Sequence, residues 1–228
     1  MQRYKWLLFD ADGTLFDYER AESSALKQVF ESLGARFEPV YLGTYQRINN
    51  ELWLGVEKGK LAPDFVKMRR FELLLEEIGN SHAPGEFALK YLECLADCSE
   101  LIEGAAETLR ALHGKYRMAI LTNGLHAVQR RRLERSVIRP HIADIIISEE
   151  IGSAKPAKEF FDAAFLRLEI GSPGEALMVG DGWNSDIMGA MQYGLDACWY
   201  NPGRKPRPNG SEVTREISSL NELAVWLG

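Results

Sequence analysis

Asp10 and Asp12 stand two residues apart in Asp10-Ala11-Asp12-Gly13-Thr14, directly after the apolar run Trp6-Leu7-Leu8-Phe9. The run is brief, bulky and uncharged, which reads as a short buried strand. Two carboxylates emerging where a buried strand ends repel each other in a desolvated cleft. One must be protonated, or a cation must lie between them. The pair therefore points to a hard divalent metal, a nucleophile, an acid/base pair, or several of these together. Alone, an Asp-x-Asp pair also reads as a turn or cap, so its weight depends on its company.

That company is set by the elements. Five apolar runs recur, at Lys5–Phe9, Arg117–Leu121, Asp144–Ile147, Ala176–Val179 and Asp196–Tyr200. Helical patterns separate most of them: Ala105–His113 closed by Gly114, Leu125–Ser136, Lys158–Leu168, and Asn184–Tyr193 closed by Gly194. Strands alternating with helices predict a doubly wound parallel sheet covered on both faces, an α/β fold. From about Tyr18 to Cys98 no strand pattern occurs, only helical stretches broken at Gly34, Pro39, Gly59, Pro63, Gly79 and Pro84-Gly85. A connection this long must form its own bundle. The expected organisation is an α/β core, 1–17 and 99–228, carrying an inserted module of four helices, 18–98.

In an open parallel sheet, ligands bind outside the carboxyl ends of the strands. Those ends carry Asp10 and Asp12, then Thr122-Asn123-Gly124, then Lys155-Pro156 just beyond the third strand, then Gly180-Asp181 with Asp186 five residues on. Asp10, Asp12 and Asp181 supply oxygen ligands of the kind Mg²⁺ prefers, leaving sites for water and a substrate phosphate. Thr122 offers a hydroxyl and, with Asn123, backbone donors to phosphate oxygens. Lys155 brings positive charge to a transferring phosphoryl group. A carboxylate beside a metal can attack phosphorus, and its neighbour can protonate the leaving alcohol. Each element is commonplace alone, but four in this order on one sheet edge form a coherent set.

Composition narrows the classes. The 228 residues carry a formal net charge of −6, which argues against a nucleic-acid polymer as partner. No apolar stretch approaches the roughly 20 residues that span a bilayer, and Asp10 interrupts the first apolar run, so the expected address is the cytoplasm. The three cysteines, Cys94, Cys98 and Cys198, lack ligand spacing and read as core packing. Arg130-Arg131-Arg132 with Arg135 reads as a solvated helix face. The Pro- and Gly-rich segment Asn201–Gly210 reads as a rigid exposed loop, its other reading being a grip on an anionic substrate.

With these motifs in order, the chain resembles the haloacid dehalogenase-like superfamily. Asp10-Ala11-Asp12-Gly13-Thr14 matches its first motif, Thr122 the second, Lys155 the third, and Gly180-Asp181 with Asp186 the fourth. The resemblance covers the whole core and implies that the helical insertion is a cap. It implies Asp10 as nucleophile, Asp12 as general acid/base and Mg²⁺ as cofactor, with Asp10, Asp12, Asp181 and Asp186 around the metal. Thr122, Asn123 and Lys155 would hold the phosphate. Within the superfamily, true dehalogenases lack a counterpart of Asp12, so its presence points to phosphoryl transfer. A phosphonatase would use a cap lysine as a Schiff base, and Lys58, Lys60 and Lys67 fall in that region, where exposed lysines are the competing reading.

Substrate choice then falls to the cap. Tyr45, Asn49 and Trp53 are four apart and close to one helix face. They could stack on a ring and read its edge, or the aromatics could pack the cap's own core. This segment, the Thr122-Asn123-Gly124 triplet and Cys198-Trp199-Tyr200-Asn201-Pro202 resemble the pyrimidine 5′-nucleotidase branch that removes nonstandard nucleotides. The expected activity is Mg²⁺-dependent hydrolysis of (deoxy)pyrimidine nucleoside monophosphates through an aspartyl-phosphate, by a monomer or homodimer. Small sugar phosphates and other phosphometabolites are the alternative substrates. A phospho-accepting receiver domain is the non-enzyme alternative, ill-suited by Asp12 and by the insertion after the first strand.

Overall fold

The computed structural model describes residues 3–208 and 212–228, which leaves Asn209 and Gly210 of the Pro- and Gly-rich loop outside the described residues. Among the described residues the core is one parallel sheet of six strands: β1 (Trp6–Phe9), β2 (Arg117–Thr122), β3 (Asp144–Ile147), β4 (Ala176–Gly180), β5 (Asp196–Tyr200) and β6 (Arg215–Ile217). Their spatial order is β3-β2-β1-β4-β5-β6. Alternate residues feed opposite faces, as the pleat requires. Leu7, Phe9, Met118, Ile120, Leu177 and Val179 enter one apolar cluster. Trp6, Leu8, Ala119, Leu121, Ala176 and Met178 enter the other. Both faces are covered, so the strands read as near-continuous apolar runs.

Helices α5 (Ala105–Leu112) and α10 (Leu220–Leu227) cover the first face, and α7 (Ser148–Ile151), α8 (Lys158–Leu168) and α9 (Gly189–Tyr193) the second. The five anticipated strands are present. Strand β6 and helix α10 were not anticipated, and Asn184–Tyr193 is not one helix. The chain from Trp183 to Met188 is wound as a π-helix, with Ile187 N–H donating to Gly182 O at 3.2 Å, and only Gly189–Tyr193 is α-helical. The wide turn carries Asp186, and π-turns recur at functional sites.

Between β1 and α5 lie α1 (Tyr18–Ser32), α2 (Val40–Glu57), α3 (Pro63–Glu77) and α4 (Pro84–Asp97). Ala25, Phe30, Tyr45, Phe71, Phe87 and Tyr91 belong to a third apolar cluster. It also takes in Leu125 and Val128, beside and on α6 (His126–Arg135), so the helical group rests its apolar base on the core. The chain leaves and re-enters the core through two connectors that hydrogen-bond each other. Asp17 N–H donates to Glu100 O, and Ile102 N–H to Leu15 O, each at 3.0 Å. No helix among the described residues is long and apolar enough to cross a membrane. Cys98 and Cys198 are buried and Cys94 half-buried, all free, and burial pushes the Cys198 thiol up to about 12.

Candidate active site

The strand order brings the chemistry together. β1 lies between β2 and β4, with Phe9 opposite both Ile120 and Val179. Asp10 therefore projects beside the ends of β2 and β4, where Thr122 and Gly180-Asp181 lie. Two glycines make the packing feasible. Gly13 adopts φ +84°, and a Cβ there would stand 2.7 Å from Asp181 Oδ2. A Cβ on Gly180 would stand 2.3 Å from Asp186 Oδ2. Thr14 fixes Asp181 twice: its hydroxyl donates to Oδ1 at 3.1 Å and accepts from the Asp181 N–H at 3.0 Å. The π-turn folds Asp186 back so that Oδ2 accepts from Gly182 N–H at 2.9 Å.

Carboxylate oxygens of Asp10, Asp181 and Asp186 all lie within 4.8 Å of one another. Lys155, 1% exposed, donates to Asp10 Oδ1 at 2.6 Å, Asp186 Oδ1 at 2.7 Å and Leu121 O at 2.5 Å. Burial works against its charge, but the two carboxylates more than offset this and hold it above the ordinary lysine range. Three carboxylates against one ammonium leave two negative charges in excess. Burial, reinforced by Asp186 and Asp181, pushes Asp10 well above the usual carboxylate range even against Lys155. Asp181 is pushed up to about 6 by burial and then by Asp186. Such a set relieves its repulsion by taking up protons or a divalent cation, and its hard oxygen donors fit the latter.

Asp12 belongs to a different network. Its carboxylate pairs with Arg132 and accepts from Gln129 Nε2, both on α6. Arg132 is fully buried; its Nε donates to Cys98 O at 2.8 Å and its Cζ lies 4.6 Å from the Phe16 ring centroid. Placing Arg132 on a solvated face was therefore wrong: α6 turns Val128, Gln129, Arg132 and Leu133 inward. Arg130 and Arg131 do face outward, on Glu150 and Asp97. The Asp12 carboxylate is not among the clustered three, so as a side-chain metal ligand it is separated from Asp10, Asp181 and Asp186.

A cavity of about 260 Å³ opens above these groups, roofed by the helical group. From α2 it is lined by Asn49, Asn50, Trp53 and Glu57, and from α3 by Arg70. Tyr45 does not reach it. The ring is fully buried 5.3 Å from Tyr91 and 5.7 Å from Phe71, inside the helical cluster. The i, i+4 stripe facing the cavity is Asn49, Trp53 and Glu57, one turn beyond the stripe anticipated. Burial and the nearby Asp186 push Glu57 up.

A family model for haloacid dehalogenase-like hydrolases matches residues 4–194. The chain belongs to this family. It is 37% identical to the HAD-hydrolase YfnB of Bacillus subtilis over 98% of this chain and 95% of that one. A crystal structure of YfnB bound to magnesium superposes with a TM-score of 0.92 at 36% identity, covering both chains fully. The chain is also 34% identical to pyrimidine 5′-nucleotidase YjjG of Escherichia coli, covering 99% of this chain and 98% of that one. To pyrimidine 5′-nucleotidase PynA of Streptococcus pneumoniae it is 31% identical, over 96% and 93% respectively.

As a haloacid dehalogenase-like hydrolase, the chain uses some motif residues for positioning. The Asn123 side chain is spent on the backbone of Lys155, accepting from its N–H and donating to its C=O at 2.8 Å each. Thr122 Oγ1 accepts from Gly124 N–H at 3.0 Å. Lys67 pairs with Glu149 and, at 2.7 Å, with Asp64, which keeps it charged and unsuited to forming a Schiff base. Lys58 and Lys60 are exposed and do not line the cavity. In the Pro- and Gly-rich loop Arg207 pairs with Glu216 at 2.7 Å. Residues missed from sequence are Arg132, Gln129, Glu57 and Arg70. For Arg132, Gln129 and Arg70 the inward faces of α6 and α3 are the available signal, since each sits one turn from buried apolar residues; Glu57 at the end of α2 carries no such signal.

Proposed function

We propose that the chain is a Mg²⁺-dependent phosphomonoester hydrolase whose substrates are (deoxy)pyrimidine 5′-monophosphates, with residues 18–98 acting as a cap over the 1–17 and 99–228 core. The observation that carries the reading is the trio Asp10, Asp181 and Asp186 with Lys155, two negative charges in excess beneath a roofed cavity. Mg²⁺ held by these three carboxylates would supply the positive charge that draws the substrate phosphate among them.

Asp10 is the nucleophile. Lys155 holds its Oδ1, which orients the carboxylate as it attacks phosphorus. The new bond joins Asp10 oxygen to phosphorus as the ester P–O bond breaks, and Asp12 gives the leaving oxygen a proton. Asp12 then takes a proton from water, which attacks phosphorus and frees phosphate and Asp10. Lys155 offsets charge on the transferring group throughout. In keeping with relatives named as pyrimidine 5′-nucleotidases, Trp53 offers a stacking wall and Asn50 an amide to a base, while the Asn49 amide is held by Tyr18, Glu22 and Arg70.

The test is phosphate release across nucleotides, sugar phosphates and phosphoamino acids, with Mg²⁺ or excess EDTA. The expected result is fastest turnover on pyrimidine monophosphates and none in EDTA. Faster turnover of a sugar phosphate would overturn the substrate class, and undiminished activity in EDTA the metal.

Metal and protons should compete at the trio. Asp181 titrates near 3.8 when unfolded and near 6 when folded, so the metal-free fold loses stability as pH rises through that window. A divalent cation binds the ionised form and restores it. The rise in Tm on adding Mg²⁺ is therefore expected to be small at pH 5 and larger at pH 7. Equal rises at both, read by calorimetry, would contradict the placement of the ion.

A further inference from the structure

Arg70 on α3 is 1% exposed, yet it lines the cavity above Asp10 and Lys155. Its Nη1 donates to Asn49 Oδ1 at 3.3 Å, while Nε and Nη2 have no hydrogen-bond partner among the described residues. The Tyr91 and Phe71 rings stand 4.7 and 5.2 Å from its Cζ. A ring face attracts the charge but offers no lone pair to those two N–H groups. Spare donors on a buried guanidinium are costly until an acceptor arrives.

Charge says which acceptor fits. Glu22, also buried, accepts from Asn49 Nδ2 at 3.2 Å and from Gln46 at 3.0 Å, so the cluster already holds a carboxylate against the guanidinium. Glu57 adds a further carboxylate to the same cavity. A second anionic group on the leaving moiety would meet a balanced roof and be repelled by Glu57. An uncharged carbonyl oxygen needs donors and no net charge.

We propose that Arg70 reads a carbonyl on the planar ring of an uncharged leaving group, with Asn49 orienting the guanidinium and Trp53 flanking the ring. The inference rests on the nucleotidase reading of this site and deepens it: the acceptor oxygen of the pyrimidine, not the ring alone, selects the substrate.

The test compares kcat/KM of the Mg²⁺-loaded enzyme and its R70K variant on uridine 5′-monophosphate and ribose 5-phosphate. R70K keeps the charge and loses the fork. It is expected to lower kcat/KM for the nucleotide about 10- to 100-fold more than for the sugar phosphate. Equal losses on both would reduce Arg70 to a structural residue and overturn the inference. Should R70K fail to fold, the wild-type enzyme decides on a phenyl C-riboside 5′-monophosphate, which keeps a ring and lacks the carbonyl. Turnover at least about 10-fold poorer than the uridine nucleotide supports the carbonyl contact; equal turnover overturns it. Wild-type preference for ribose 5-phosphate overturns the nucleotidase reading and this inference with it. Failure of Arg70 alone shows instead as an intact nucleotide preference insensitive to R70K or to the carbonyl.

Discussion

Asp10→Asn is expected to lower phosphate release by about 10⁴-fold or more, because the amide cannot form the acyl phosphate. The fold should survive. Asp10 is buried beside Asp181 and Asp186, and losing its charge lowers the excess negative charge of the cluster from two to one. Against that gain stands the lost pair with Lys155, which keeps Asp186 as partner at 2.7 Å. These opposing effects should leave Tm in EDTA close to wild type, while the rise on adding Mg²⁺ shrinks with one ligand gone. Phosphate release and calorimetry with and without Mg²⁺ check both halves. Activity above about 1% of wild type would remove Asp10 from the chemistry.

Arg132→Met is expected to be the most destabilising single change near the site. Methionine fills the space but leaves the Asp12 carboxylate without its cation, the Cys98 carbonyl without its donor and the Phe16 ring without its cation. Removing one partner of a buried pair costs about 3–5 kcal/mol. The Asp12 side chain is 26% exposed, and water recovers part of that, so the expected loss is about 2–4 kcal/mol. In a chain of this length that lowers Tm by roughly 5–15 °C. Arg132 also joins the two connectors, Phe16 on the outgoing one and Cys98 on the returning one, so kcat should fall too. The fall should stay below that of Asp12→Asn, for which acid/base catalysis sets a scale of about 10²–10⁴-fold. Arg132→Lys should recover little, since one ammonium cannot reach both Asp12 and the Cys98 carbonyl. Urea unfolding and kcat measured together check this; wild-type stability in Arg132→Met would mean the pair adds nothing net.

Much of this was legible from the chain. Strands buried on both faces must be apolar throughout, so five of them are plain in the sequence, and the sheet-edge rule groups Asp10, Thr122, Lys155, Asp181 and Asp186 from sequence alone. β6 was not legible because Arg215-Glu216-Ile217 is a short edge strand with one buried residue. Helix α10 did carry a sign: Ser219 and Glu222 form a capping box.

The misreadings share a cause. Arg132 is one of four clustered arginines, and composition describes the run, whereas burial is decided residue by residue through the helix angle. Tyr45 and Trp53 share a face in projection, but α2 runs from the interior of the helical cluster out over the cavity. Position along the helix, not face alone, therefore separates packing from lining, and Glu57 lies at the end that matters.

Trapping the proposed aspartyl-phosphate at Asp10 is the most direct test of the chemistry. Enzyme turning over uridine 5′-monophosphate with Mg²⁺ is quenched in acid, reduced with borohydride and mapped by peptide mass spectrometry. An acyl phosphate at residue 10 would be reduced to homoserine, and that conversion at Asp10 alone, absent without substrate, is the predicted result. Rapid phosphate release with no modified Asp10, or with homoserine appearing at Asp12, Asp181 or Asp186 instead, would contradict it.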